Sequence, residues 1–187
     1  MMTERPLRAD AARNRGRILA AARDQFAAHG PEAGMDEIAA AAGVAVGTLY
    51  RHFPTKADLV AAVSASHMAA VADDVEAALA RVDAGAGAAS ELSGLLIRFV
   101  ESTLRNRAVK EAARDLGLDV HRTDSPATHR ATTALTSLLH LAHANGDVRP
   151  GITVEDLYLL LSSMPADQPP PARARWADLV LHGILHD

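Results

Sequence analysis

Apolar residues recur along most of the chain at helical rather than alternating spacing. Ala and Leu dominate and β-branched runs are absent, so the pattern predicts helices almost throughout. The first spans Ala11 to Ala28, where Ile18, Ala22 and Phe26 form one stripe at i, i+4 and i+8 with Leu19 beside it. His29-Gly30-Pro31 ends that helix, with glycine at the C′ position and proline beyond. A short helix from Met35 to Ala42 is stopped by Gly43, and a third runs from Val46 to His52 before Pro54. A long fourth helix begins at Lys56 and continues to Val82; Thr55 and Asp58 ahead of it resemble a capping box with Asp in place of Glu. Beyond the joint "DAGAGAAS", helices are expected near 90–106, 108–118 and 127–145. The turn "NGDVRPG" and the proline-rich "PADQPPP" set off two more, over 153–164 and 172–186.

The third segment departs from this apolar pattern. Thr48, Tyr50, Arg51 and His52 are hydrogen-bond donors crowded onto a very short helix with little apolar surface. Its surroundings fit a helix-turn-helix, in which two helices cross steeply through a three- or four-residue turn. Gly43 supplies the turn residue that tolerates positive φ, and Ala39 is the small residue that a close crossing needs. Ile38, Val44 and Leu49 would fill the wedge, leaving Val46, Gly47, Thr48, Tyr50, Arg51 and His52 on the outer face or at the ends. Donors left spare by the protein have natural partners in phosphates and base edges. A surface hairpin with solvated polar residues is the competing reading. His52 stands where longer recognition helices carry an apolar residue, so this one must be short.

Charge sharpens the picture. The 187-residue chain carries a net charge of −4, which argues against a generally basic coat. Yet residues 1–23 hold six arginines against Glu4 and Asp10, a local +4, whereas residues 61–187 sum to −5. A basic end on an acidic body suggests that the N-terminal part meets a polyanion. Aromatics are only 3% against a hydrophobic share of 49%, so the core must be largely aliphatic. The absence of cysteine excludes disulfides, thiolate catalysis and cysteine-based zinc sites. The opening "MMTERPLRAD" lacks the apolar run of a secretory signal, and no stretch approaches the roughly 20 apolar residues of a membrane span. A soluble, cytoplasmic protein with no membrane partner is expected.

"RILAAARDQFAAHG" followed by "MDEIAAAAGVAVGTLYRHFPTKADLVAAV" resembles the DNA-binding domain of tetracycline-repressor (TetR) family transcriptional regulators, over about Ala11 to Val63. The resemblance implies phosphate contacts from Tyr50, His52 and Lys56, and places Val46, Gly47 and Thr48 against base edges. It sends Arg51 to a phosphate or a guanine, and Arg13, Arg15 and Arg17 to the flanking backbone. Three positions depart from the family pattern. Ala45 stands where a Ser or Thr cap is usual, Gly34-Met35 replaces a threonine before the second helix, and Val46 replaces a polar or basic residue. Valine there favours contact with a thymine methyl.

The remaining candidates are weaker. His140 and His143, three apart, and His182 and His186, four apart, could each present two imidazoles on one helix face, but a site would need His121, His129 or a carboxylate as third ligand, and no metal or other cofactor is expected. Asp73-Asp74 and Glu155-Asp156 are adjacent pairs pointing about 100° apart on a helix, unlike a catalytic dyad. No GxGxxG, Walker or GxSxG motif occurs, so an enzyme is not expected. "LYLLLSSM" and "WADLVLHGIL" carry more apolar surface than one stripe needs; burial within the domain is one reading, and the resemblance implies the other, in which the last two helices pair with their copies in a homodimer. Two half-sites also suit a recognition unit too short to specify a site alone.

The expected architecture is all-α: an N-terminal three-helix helix-turn-helix domain (1–54), then a larger helical ligand-binding and dimerisation domain (55–187). The function implied is sequence-specific regulation of transcription by a repressor that a small, largely apolar effector releases from a double-stranded DNA operator. A helical scaffold using the same surface for protein contacts is the alternative. Met68, Phe99, His121, His140 and Trp176 are the candidate effector-pocket residues.

Overall fold

The computed structural model describes residues 4–118 and 124–186. Among these the elements are α1 (Glu4–His29), a 3-10 turn (Gly30–Glu32), α2 (Met35–Ala41), α3 (Val46–His52), α4 (Lys56–Asp83), α5 (Ala88–Arg105), α6 (Arg107–Asp115), α7 (Pro126–Ala144), α8 (Val154–Ser162) and α9 (Pro170–Ile184). The all-α expectation holds, and the punctuation read from sequence sets most boundaries. α1 is the exception, beginning a full two turns ahead of Ala11.

Helix starts are set by local chemistry. The Asp58 carboxylate accepts from the Thr55 backbone N–H at 3.0 Å while the Asp58 N–H donates to Thr55 Oγ1 at 3.1 Å, which satisfies orphan donors reciprocally. Thr153 and Asp156 repeat the device at α8, and the hydrogen bonds from Thr153 hold the Asp156 carboxyl below the usual range. Ser125 caps α7, its Oγ accepting from the Thr128 N–H.

The chain forms two compact units. One runs through His67 and resumes at Arg105; the other takes Met68–Leu104 and the chain from Asp124. In the first, Ile18, Ala22 and Phe26 are fully buried, as are Ile38 and Ala39 from α2, Leu49 from α3, and Leu59, Val60 and Val63 from α4. Val109, Ala112 and Ala113 of α6 join the same core at i, i+3, i+4 spacing. This packing boundary is a different line from the functional division drawn at residue 54.

The second unit has an aliphatic core built from Leu92 and Leu96 of α5, Leu138 and Leu139 of α7, Val154 and Leu157 of α8, and Val180 and Ile184 of α9. The "NGDVRPG" turn does more than reverse the chain. Val148 bridges Leu185 in antiparallel fashion, and Arg149 donates from Nε to the Leu185 carbonyl and from Nη2 to the His182 carbonyl, each at 3.1 Å. A cation thereby satisfies the last carbonyls of α9, where the helix dipole is negative.

Candidate nucleic-acid interface

The α2–α3 turn is built from backbone outward. The Gly43 N–H donates to the Ala40 carbonyl and the Val44 N–H to the Ala39 carbonyl, each at 3.0 Å, the paired bonds of a Schellman ending. That geometry puts Gly43 at φ +62°, where a side chain is strained. Ala45 then takes an extended conformation and begins α3 without a side-chain cap.

α3 has seven residues, and Leu49 is its one buried side chain; Phe53, just past its end, is buried too. The outer face carries the sequence-predicted residues. Val46 is 41% and Tyr50 44% exposed, Gly47 and Arg51 are exposed, and Thr48 and His52 are half-buried. Val46 and Tyr50 are thus left in water on a helix of only seven residues.

The flanking cations are already engaged with the protein. Arg13 pairs with Asp10 one turn earlier on α1. The Arg15 guanidinium lies over the Phe53 ring, 5.4 Å from its centroid. Arg17 donates from Nη2 to the Gly43 carbonyl at 2.9 Å. Lys56 donates from Nζ to the Pro31 carbonyl and sits 5.9 Å from the Phe26 ring centroid. Each side chain keeps further N–H donors beyond the one in use. The sequence pattern found these cations but not the carbonyls and rings that anchor them, because the partners lie in other elements.

In the same unit, the Asn106 side-chain amide nitrogen lies 3.2 Å from His67 Nδ1. Burial, then the charges of Lys110, Arg23 and Arg105, lower the His67 pKa from 6.5 to about 4. Burial also holds the Lys110 ammonium below its ordinary value. The folded protein therefore keeps His67 neutral where the unfolded chain would protonate it. Its stabilising effect is complete above pH 6.5 and is lost as pH falls from there toward 4. We expect the loss to reach up to about 3 kcal/mol at pH 4, and His67→Gln to flatten that part of the profile. Thermal melts between pH 7.5 and pH 4, about the range bracketing both values, check this; an unchanged slope in the variant would assign the acid lability elsewhere.

In the second unit, α4 and α7 flank two open depressions that share Leu79 and Ser137. One, of about 400 Å³, is lined by Glu76, His129, Arg130 and Thr133; the other, of about 570 Å³, by Asp83, His140, Leu141 and Ala144. Arg130 is held there by Glu76 and Asp73, which push its pKa up. Of the candidate effector residues, His140 lines the second depression, and Trp176 packs half-buried against the aliphatic core. Met68 and Phe99 are half-buried and line neither depression, and His121 lies outside the described residues.

The paired histidines point to backbone partners: His143 Nε2 lies 3.3 Å from the Arg149 carbonyl, and His182 Nδ1 2.7 Å from the Asp178 carbonyl. Among the described residues no group of three His, Asp or Glu side chains is placed to hold a metal, and no helix is long and apolar enough to cross a membrane. On α8 and α9, Tyr158, Leu159 and Leu179 are 41%, 68% and 56% exposed.

Two family models match the chain. "Bacterial regulatory proteins, tetR family" matches residues 18–63, and "Transcriptional regulator SbtR-like, C-terminal domain" matches residues 88–186. Among solved structures, a TetR transcription regulatory protein from Mycobacterium vanbaalenii is 35% identical, with 97% of this chain and 100% of that one covered and a TM-score of 0.78. A TetR transcriptional regulator from Streptomyces coelicolor is 32% identical, with 91% and 98% covered and a TM-score of 0.72. No curated protein matches. The scaffold alternative finds no support among these relatives.

Proposed function

The chain belongs to the TetR family and is a DNA-binding transcriptional regulator, and from that premise we propose that it is a cytoplasmic repressor, homodimeric through α8 and α9, released from its operator by a small effector. The observation that carries the reading is the outer face of α3, where among the described residues the side chains of Thr48, Tyr50, Arg51 and His52 make no hydrogen bond to the protein, on a helix whose one buried side chain is Leu49. Val46, Gly47 and Thr48 face base edges. Tyr50, His52 and Lys56 bind phosphates, Arg51 reaches a phosphate or a guanine, and Arg13 and Arg15 follow the flanking backbone; the resemblance sends Arg17 there too, although its guanidinium is engaged at the Gly43 carbonyl.

Selection of duplexes from random DNA, followed by binding at graded salt, tests this assignment. Lys56→Ala and Tyr50→Phe should weaken enriched and scrambled duplexes alike, and Lys56→Ala should make the salt slope shallower by about one unit. Thr48→Ala or Val46→Ala should instead change the enriched sequence, costing about 1–3 kcal/mol for each base-reading interaction removed. An unaltered slope in the first variant, or an unaltered sequence in the second pair, would remove those residues from the interface.

Release follows from α4. Lys56 and Met68 lie on one unbroken helix of 28 residues, about 40 Å long at 1.5 Å per residue. An effector in the second unit, near Met68, Phe99, His140 and Trp176, shifts the protein only by favouring one pose of that helix. Successive major grooves demand a fixed half-site separation, so a small tilt releases DNA without splitting the dimer. Once a releasing compound is found, light scattering should report a dimer after release; a monomer would sink the tilt mechanism.

A further inference from the structure

Arg17 and Gly43 are 26 positions apart in sequence and share one hydrogen bond, Nη2 to carbonyl at 2.9 Å. Three observations make the contact more than a passing surface pair. Among the described residues no backbone N–H of the turn reaches the Gly43 carbonyl, so the guanidinium is its partner. A Cβ built on Gly43 would lie 2.5 Å from the same Nη2, so the missing side chain makes the room that the cation occupies. Ile18 and Leu19, immediately after Arg17, are buried in the core, which fixes where the arginine stem starts.

Arg15 adds a second contact from the same helix. Its guanidinium covers Phe53, the residue that ends α3. α1 therefore touches the polypeptide on both sides of the recognition helix, before it through Arg17 and after it through Arg15. The helix between has one buried side chain and no side-chain cap at Ala45, so its own packing leaves its pose weakly determined.

We infer that Arg17 is a positioning residue for base readout: it fixes the turn from which α3 starts, and acts on DNA through α3 rather than as a phosphate ligand. A charge-assisted bond to a carbonyl is about twice as strong as a neutral one. A phosphate ligand contributes to every sequence alike, whereas a brace contributes only where base edges are read. The inference rests on the assignment of α3 as the reading helix.

The test uses the full-length protein, a duplex enriched by the wild type from random DNA, and a scrambled duplex of equal length. Arg17→Ala should bind the enriched duplex about tenfold more weakly and the scrambled one within about twofold of wild type, with the salt slope unchanged. Equal losses on both duplexes with a slope shallower by about one unit would make Arg17 a phosphate ligand and overturn the inference. No change on either would overturn it as well.

Should Arg17→Ala fail to fold, Arg17→Lys decides. It keeps the charge but not the planar fork, so it should lose affinity for the enriched duplex alone; wild-type affinity on both would contradict the brace. Gly43→Ala should also be less harmful in the Arg17→Ala background than in the wild type, and equal harm in both would disprove the shared space. A wild-type protein that enriches no sequence would instead defeat the assignment of α3, and the inference with it.

Discussion

Leu159→Glu combined with Leu179→Glu is expected to leave the protein monomeric and its operator affinity lower by about a hundredfold or more. The two leucines are 68% and 56% exposed on α8 and α9, with Tyr158 beside Leu159 at 41%. Side chains of this size stabilise by about 1.5–3 kcal/mol each when fully buried, so leaving them in water is a standing drive toward association. A two-fold interface uses each residue twice, and two glutamates per protomer place four like charges where apolar contact formed. Monomers then present a single recognition helix of seven residues to a single half-site. The loss in affinity is the loss of the linked second binding event, and no DNA contact need be touched. Neither leucine belongs to a buried core, so helix content should persist. Sedimentation and binding to an enriched duplex, measured on the same preparation, provide the check. A persistent dimer would move the interface off α8 and α9. A monomer with undiminished affinity would refute the need for two half-sites.

Which parts of this molecule could be read from sequence follows from the range of the forces involved. α3 was legible to the residue because Gly43 and Pro54 act on their immediate neighbours, and the Thr55–Asp58 box because its four partners lie within one turn. The stripe of Ile18, Ala22 and Phe26 showed which face of α1 is buried, since helical spacing alone decides it. What it meets was not legible. Val109, Ala112 and Ala113 join that core from α6, yet two alanines and a valine carry no label saying which unit they enter. The same holds for Arg17 and Gly43, each singled out for a different reason, and for Arg149, whose three bonds to the end of α9 make a latch out of a turn. The outward direction of Val46, Tyr50 and Arg51 was readable, because helical phase relative to Leu49 fixes it. The effector residues rest on no local rule: nothing in the sequence converges Met68, Phe99, His140 and Trp176, and of these His140 alone lines either of the two depressions beside α7.

Leu49→Ala should be the most damaging single substitution on the DNA-binding side, for reasons of both packing and placement. Leu49 is fully buried and is the only side chain of α3 that is, so it joins the helix to Ile38, Phe26 and the α4 residues of the same core. Truncation removes the transfer free energy of its side chain and leaves a cavity whose walls collapse only in part. The usual outcome is a loss of about 2–5 kcal/mol. A unit of this size has little stability in reserve, so its melting temperature should drop by several degrees or more. Binding should suffer beyond what instability explains. Without Leu49, α3 is held only by its ends, through the Gly43 turn and buried Phe53. The donors on its outer face would then be presented in many orientations, while base edges accept hydrogen bonds only within narrow limits of distance and angle. Phosphate contacts tolerate more movement, so weak binding to any duplex should survive where sequence preference does not. Leu49→Met, which conserves volume, should keep most of both properties. Melting curves and binding to enriched and scrambled duplexes, taken at a temperature where the variant remains folded, separate the two effects. Full sequence preference in folded Leu49→Ala would mean that the ends of α3 alone set its pose.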